Sequence, residues 1–501
     1  MKRTVDLTLA AAALLVLGFL TVVYTRDLPL GVVGEWEWPR INQALPIAGL
    51  LIAGAGVIVH GALAAAGYRA LEGDGWSVAR EARWVAGLTI SAVALQVLIP
   101  MGAPGIFGLT KWSYVHFLKG ATGYYEIARD QAAADPWTFL AEYPQWIVVQ
   151  ESNHIGAHPP GLIAAYVGLS ALMERHGALA RPLNAATPPA VREGFHRAEI
   201  DAANQPPIPP SHRAAVYLMS LLTLLACAGT TVPLYLLARE SLSAQRAWVA
   251  AAFWAPAPAL NLFQPISDAA YPLLSASAFA LAAWSARLGG RPERSAWGPA
   301  LLAIASGSVM ALGMMFSLAF LPVGAIVALV ILTTPAVPLG RRVRTIAWVG
   351  AGFAGVVAVW WLATTANPFV IWLWNLRHND RFYQGHRRSY LPWIFINPVE
   401  LAIAAGLPVA VWWLVGAVAD PRRVPRAAWC ALVVLLIANL SGRNLGEVAR
   451  LWMIFLPALF TAAGVGPARL GADRQAIFVT VVLTGLQTVG LQCMLQFVYP
   501  F

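Results

Sequence analysis

The chain has 501 residues, 58% of them hydrophobic and only 12% charged, with a formal net charge of +10 at pH 7. A soluble domain carries about 25% charged residues, and here apolar runs of helix-spanning length recur from end to end, so the composition points to an all-α polytopic membrane protein. The runs do not alternate in polarity as barrel strands would, and the basic residues sit in short loops with no basic domain set apart, which argues against a nucleic-acid partner.

In chain order, the opening MKRTVDLTLAAAALLVLGFL carries charge and then an apolar run, with no clean small-residue cleavage site behind it. It reads as a retained first helix with a cytoplasmic N-terminus. Spans are expected near residues 7–25, 45–67, 84–102, 214–238, 247–265, 269–287, 298–314, 317–335, 346–365, 397–417, 428–441, 451–466 and 476–496. That makes about thirteen and puts the C-terminus outside. Arginines test this register. Arg69, Arg80 and Arg83; Arg239 and Arg246; Arg287, Arg291 and Arg294; Arg341, Arg342 and Arg344; Arg422, Arg423 and Arg426; and Arg469 and Arg474 all fall in loops on one side.

The run from Pro160, PGLIAAYVGLSALM, is too short for a full crossing. It is therefore expected to lie on or re-enter the outer leaflet, which keeps residues 103–213 on the outer face. Three parts follow: 1–83, two helices with an outer loop; 84–287, a core with the large outer loop 103–213; and 288–501, a bundle with outer loops 366–396 and 441–451. The outward segments GVVGEWEWPR, 367–398 and SGRNLGEVARLW concentrate carboxylates, His, Arg and aromatics, where membrane-enzyme sites are expected. The 21 tryptophans suit membrane interfaces. Cys227, Cys430 and Cys493 are scattered through apolar runs and form neither a disulfide framework nor a metal site. No P-loop, dinucleotide fingerprint or HExxH is present.

Within SNHIGAHPPGL, Pro159 and Pro160 fix φ and bias His158 toward an extended conformation at a helix entrance. The plain reading is a rigid helix start; the sharper one is an imidazole held in a site, with His154 peripheral. Asp268, in FQPISDAAYPLL, is a carboxylate at the outer end of a span, costly unless it faces water or a partner. Outward arginines oppose the usual loop bias: Arg377, Arg381, Arg387, Arg388, Arg443 and Arg450, with His378 and His386 among them. Membrane headgroups account for some of these. Glu447 and Arg450 are i,i+3 neighbours, so the choice is between a local ion pair and a phosphate clamp in which Glu447 orients Arg450.

The stretch Gly123 to Leu162, GYYEIARDQAAADPWTFLAEYPQWIVVQESNHIGAHPPGL, resembles the GT-C superfamily of integral-membrane glycosyltransferases, including its protein mannosyltransferase-like members, as does GEVARLW. The resemblance implies a GT-C-like helical bundle in a bacterial-type inner membrane, with interfacial helices in a large first outer loop. It also implies transfer of a sugar from a polyprenyl-phosphate donor to a glycan, lipid or protein acceptor at the outer face, among membrane lipids. Family members place an Asp ahead of the loop tyrosines; here KGATGYYEIA has none, and Glu126 is the nearest acid. Glu126 or Asp268 would serve the acceptor, with Glu35 and Glu37 as rivals for a binding role. His158 would organise the site, and Arg450, Glu447, Arg443, Arg387 and Arg388 would hold the lipid phosphate. A divalent-metal requirement stays open. The alternatives are a transporter or flippase for lipid-linked saccharides, which should show inverted repeats and mid-membrane charges, and a non-catalytic membrane scaffold.

Overall fold

A computed structural model describes residues 2–26, 28–73, 77–118, 120–150, 154–202, 206–290 and 297–498. Nearly all regular structure is helical. Among the described residues the one sheet is a two-stranded antiparallel ladder pairing Gly31 with Glu37 and Val32 with Trp36, so GVVGEWEWPR is a hairpin. Among the described residues nine helices are long and apolar enough to cross a membrane, or ten if one bent pair counts as a single span. The chain is an all-α protein built for multiple membrane crossings.

Four of the thirteen expected spans differ from that set, for local reasons. Residues 247–265 are not one helix: Ala244–Ala252 ends, and Pro258–Leu262 begins only after the break at APAP. Proline bars the preceding residue from the helical region, and Ala257 is extended at φ −63°, ψ 136°. The expected span 397–417 is the bent pair Tyr390–Ala405 and Leu407–Ala419, turned by 108° at Gly406. Gly406 has φ +97°, which L side chains rarely adopt. Gln487 closes the bend: Leu407 N–H donates to its Oε1 at 2.8 Å, and its Nε2 donates to Ile403 O at 3.1 Å. Phe320–Leu332 and Arg426–Leu440 are apolar but only 13 and 15 residues long.

The two ends of the bundle are chemically distinct. At one end Arg239 pairs with Glu81, Arg426 pairs with Glu240, and Arg341 donates to Gly289 O and Gly290 O. Arg291 and Arg294 lie outside the described residues. At the other end the hairpin, residues 367–398, residues 441–452 and the region 103–213 meet. Helix Gly161–Arg175 reaches this second end through its last turns. Its Met173 packs with Ala214 and Ala215 in the first turns of Pro210–Gly229, and Asn184, just beyond it, donates to Pro210 O at 2.9 Å. It runs along that helix, with Leu162 and Tyr166 beside Met219 and Thr223.

Candidate functional site

The second end is organised by one carboxylate between two guanidiniums. Glu447 precedes the short helix Val448–Leu451 with φ 58°. Its Oε1 accepts from Arg388 Nη2 at 2.6 Å and its Oε2 from Arg450 Nη2 at 3.0 Å. Only 5% of the Arg388 side chain and 19% of the Arg450 side chain are exposed, so both charges are largely withdrawn from solvent. Arg388 Nη1 also donates to Leu445 O, and the guanidinium lies about 6 Å from the rings of Trp36, Tyr383 and Trp393. The Nε atoms of both arginines are buried without a hydrogen-bond partner among the described residues. An unsatisfied buried donor costs roughly 1–3 kcal/mol, more when charged. Burial alone would raise the Glu447 carboxyl; the charges of Arg450 and Arg388, with the Arg388 hydrogen bond, outweigh it and hold the pKa below its ordinary value.

Arg450 faces a second group of residues. Asp268, in the single turn Ser267–Ala269, lies near enough for its charge to act on it, and Tyr124 is a near neighbour. Tyr271 joins them and donates its hydroxyl to Ser267 Oγ at 3.1 Å. Burial, reinforced by Tyr271 and Asp268, pushes the Tyr124 hydroxyl well above its ordinary pKa, so it stays a neutral donor. The His158 ring meets Tyr124 edge to face with centroids 6.0 Å apart. The His158 carbonyl accepts from Tyr143 Oη and Asn375 Nδ2, both at 3.1 Å. The Pro-Pro-Gly corner has a packing reason as well. Gly161 N–H donates to Met315 O at 2.9 Å, and a Cβ there would stand 2.4 Å from that oxygen. The corner therefore fixes His158 against Tyr124 while docking the helix behind it.

Glu35 links the hairpin to this centre. Ser389 donates to it through N–H, at 3.0 and 2.8 Å, and through its hydroxyl, and Trp393 Nε1 donates at 2.7 Å. What burial there is raises its pKa, but these donors and Arg388 outweigh it and leave it lowered. Glu35 thus caps the start of Tyr390–Ala405 and places Arg388, one residue before Ser389. It is a positioning group, already engaged.

No protein-family model and no curated protein matches the chain. The site is therefore read from its own geometry. Of the residues expected from sequence, Asp268, His158, Arg450, Glu447, Arg388 and Glu35 are brought together. Four are not. Glu126 lines a separate recess of about 210 Å³ with Tyr114, Arg129, Glu199 and Asp201. Glu37 and Arg387 are exposed. Arg443 is 69% exposed and pairs with Asp380. The side chain of His154, with residues 151–153, lies outside the described residues. Among the described residues no group of three or more His, Cys, Asp or Glu could hold a metal ion, and the three cysteines are free and buried.

The structure adds residues that the sequence reading passed over: Tyr124, Tyr271, Tyr383, Trp36, Trp393 and Glu400. Glu400 is 2% exposed; its Oε1 accepts Ala449 N–H at 3.1 Å, tying down the segment that carries Arg450. An ionisable residue inside an apolar run was the signal available for it. The aromatics carried no such signal, because interfacial tryptophans and tyrosines are common in any membrane protein.

Proposed function

We propose that this protein is a glycosyltransferase that moves a sugar from a polyprenyl-phosphate donor to an acceptor at the outer membrane face, in line with its resemblance to the GT-C superfamily. The observation that carries the reading is Arg450: a buried guanidinium, only partly satisfied by a shared carboxylate, beside Asp268. Transfer breaks the bond between the sugar and the phosphate oxygen, and negative charge grows on the departing phosphate. A fixed, desolvated guanidinium stabilises that charge more in the transition state than in the ground state. Arg388 extends the positive field, and Glu447 orients both. Asp268 is the carboxylate suited to accept the acceptor's proton. Tyr124 and His158 supply polar contacts on the same side, and Glu126 moves to a peripheral role in the adjoining recess.

A transporter reading draws on one feature, the 108° break at Gly406, since transporters use discontinuous helices. Here Gln487 satisfies the freed backbone groups and Glu400 is tied to Ala449, so the break is closed within the protein. The deciding experiment reconstitutes the full chain in vesicles with a defined polyprenyl-phosphate sugar and a panel of glycan, lipid and peptide acceptors. Transfer by wild type and its loss in Arg450→Ala at matched protein levels is the expected result. Movement of the intact donor across the vesicle membrane without transfer to any acceptor would replace this reading with the transporter.

A further inference from the structure

A second feature stands apart from the arginine–carboxylate centre. A cleft of about 740 Å³ opens where the last turn of Lys2–Thr25, residues 40–45, the start of Ile47–Ala70 and the end of Arg474–Met494 come together. Its lining is divided by chemistry. One part holds Arg26, Arg40, Asn42 and Gln43; the other holds Leu50, Leu486, Val489 and Met494. No Asp or Glu lines it among the described residues. The two guanidiniums are tethered by backbone carbonyls: Arg26 Nη2 donates to Ile41 O at 3.4 Å and Arg40 Nη2 to Leu28 O at 2.6 Å. Neither contact neutralises a charge, and Arg40 Nε is buried with no partner among the described residues.

We infer that this cleft is a binding site for one anionic glycerophospholipid, its phosphodiester held by Arg26 and Arg40 and its acyl chain laid along Leu50, Leu486 and Val489. Three observations favour a lipid over a soluble anion. Arg26 directly follows the spanning helix Lys2–Thr25, and Arg40 bridges to Leu495, just past the spanning helix Arg474–Met494, so both lie by helix ends where headgroups are expected. The apolar half continues outward along those helices, and Tyr24, Leu45 and Leu486 at its margin are 77%, 51% and 43% exposed, as lipid-facing residues are. Arginine's planar fork matches a phosphodiester oxygen pair, and asparagine and glutamine can donate to a glycerol headgroup.

The same cleft grips the strand that leads to the hairpin. Ile41 N–H donates to Met494 O at 2.9 Å, and Gln496 N–H donates to Pro39 O at 3.1 Å. A bound lipid would brace the segment from which Glu35 reaches Ser389, at a distance from the reacting groups.

The test uses the full chain in detergent and native mass spectrometry with phosphatidylglycerol and phosphatidylcholine of identical acyl chains. Wild type is expected to retain phosphatidylglycerol preferentially. Arg26→Gln and Arg40→Gln should each reduce that preference by roughly fivefold, and the double variant should lose it. The double lysine variant should keep part of it, because the charge remains while the bidentate fork is lost, which separates charge from fold. Arg344→Gln, exposed at the opposite end, should leave it unchanged. Equal retention of the two lipids by wild type, or undiminished preference in a folded double glutamine variant, would overturn the assignment. Full displacement of phosphatidylglycerol by equimolar inorganic phosphate would reassign the cleft to a free anion.

Discussion

Arg239 and Arg450 occupy opposite ends of the bundle and teach opposite lessons. Arg239 directs Nε and Nη2 to the two oxygens of Glu81, each at 3.1 Å, and Nη1 to Leu242 O at 3.1 Å. Tyr235 adds a hydroxyl to the same carboxylate at 2.6 Å. Arg450 directs Nη2 to Glu447, shares that carboxylate with Arg388, and leaves Nε buried and unmatched. A saturated guanidinium holds helices together. A guanidinium left short of acceptors, in a place that water scarcely reaches, is what the proposed transfer needs to hold a phosphate.

The contrast can be broken at several points. The largest effect is expected at Asp268. Asp268→Asn should lower turnover by about 10²–10⁴-fold, the range of a lost general base, with the thermal midpoint unchanged; a collapse in stability with normal turnover per folded molecule would make it a scaffold carboxylate. Arg450→Ala should weaken donor binding by one to two decades, since one charged hydrogen bond contributes roughly 1.5–3 kcal/mol. Arg239→Ala, measured alongside by lipid-phosphate titration, should bind donor as wild type does and melt earlier. Identical behaviour of the two variants would erase the distinction between the ends. His158→Ala should reduce turnover by about tenfold, with His158→Gln recovering part of it because an amide still donates. Glu126→Gln should have the smallest effect, less than about threefold in turnover, the size expected of a half-buried carboxylate outside the centre.

The helix layout was largely legible because hydropathy over twenty residues is a coarse quantity that tertiary contacts seldom reverse. It failed where the backbone, and not the side chains, decided. APAP breaks 247–265, and Gly406 turns 397–417 through a φ that an average over a window does not register. The site was legible by segment and less so by residue. Tyr124 and Glu126 are two positions apart on one helical turn, so they project about 200° apart, and the sequence reading chose the carboxylate where the structure turns the tyrosine inward. Arg387 and Arg388 are neighbours of equal chemistry. The Glu35 cap on Ser389 and the Leu445 carbonyl hold Arg388, and not Arg387, toward Glu447.

The pairing of residues 39–41 with 494–496 bears on how the molecule is made. The hairpin leaves the ribosome behind the first helix, yet its anchors, Ser389 and Leu495, are 354 and 455 or more residues downstream by the contacts Glu35–Ser389 and Arg40–Leu495. Synthesis at about 5–20 residues per second leaves that loop without its native partners for tens of seconds. During that interval it is open to chaperones and proteases, because Arg388, Glu447 and Arg450 are still to be made. The assembled centre would then be completed late, when helix Arg474–Met494 is in place and residues 494–496 meet residues 39–41.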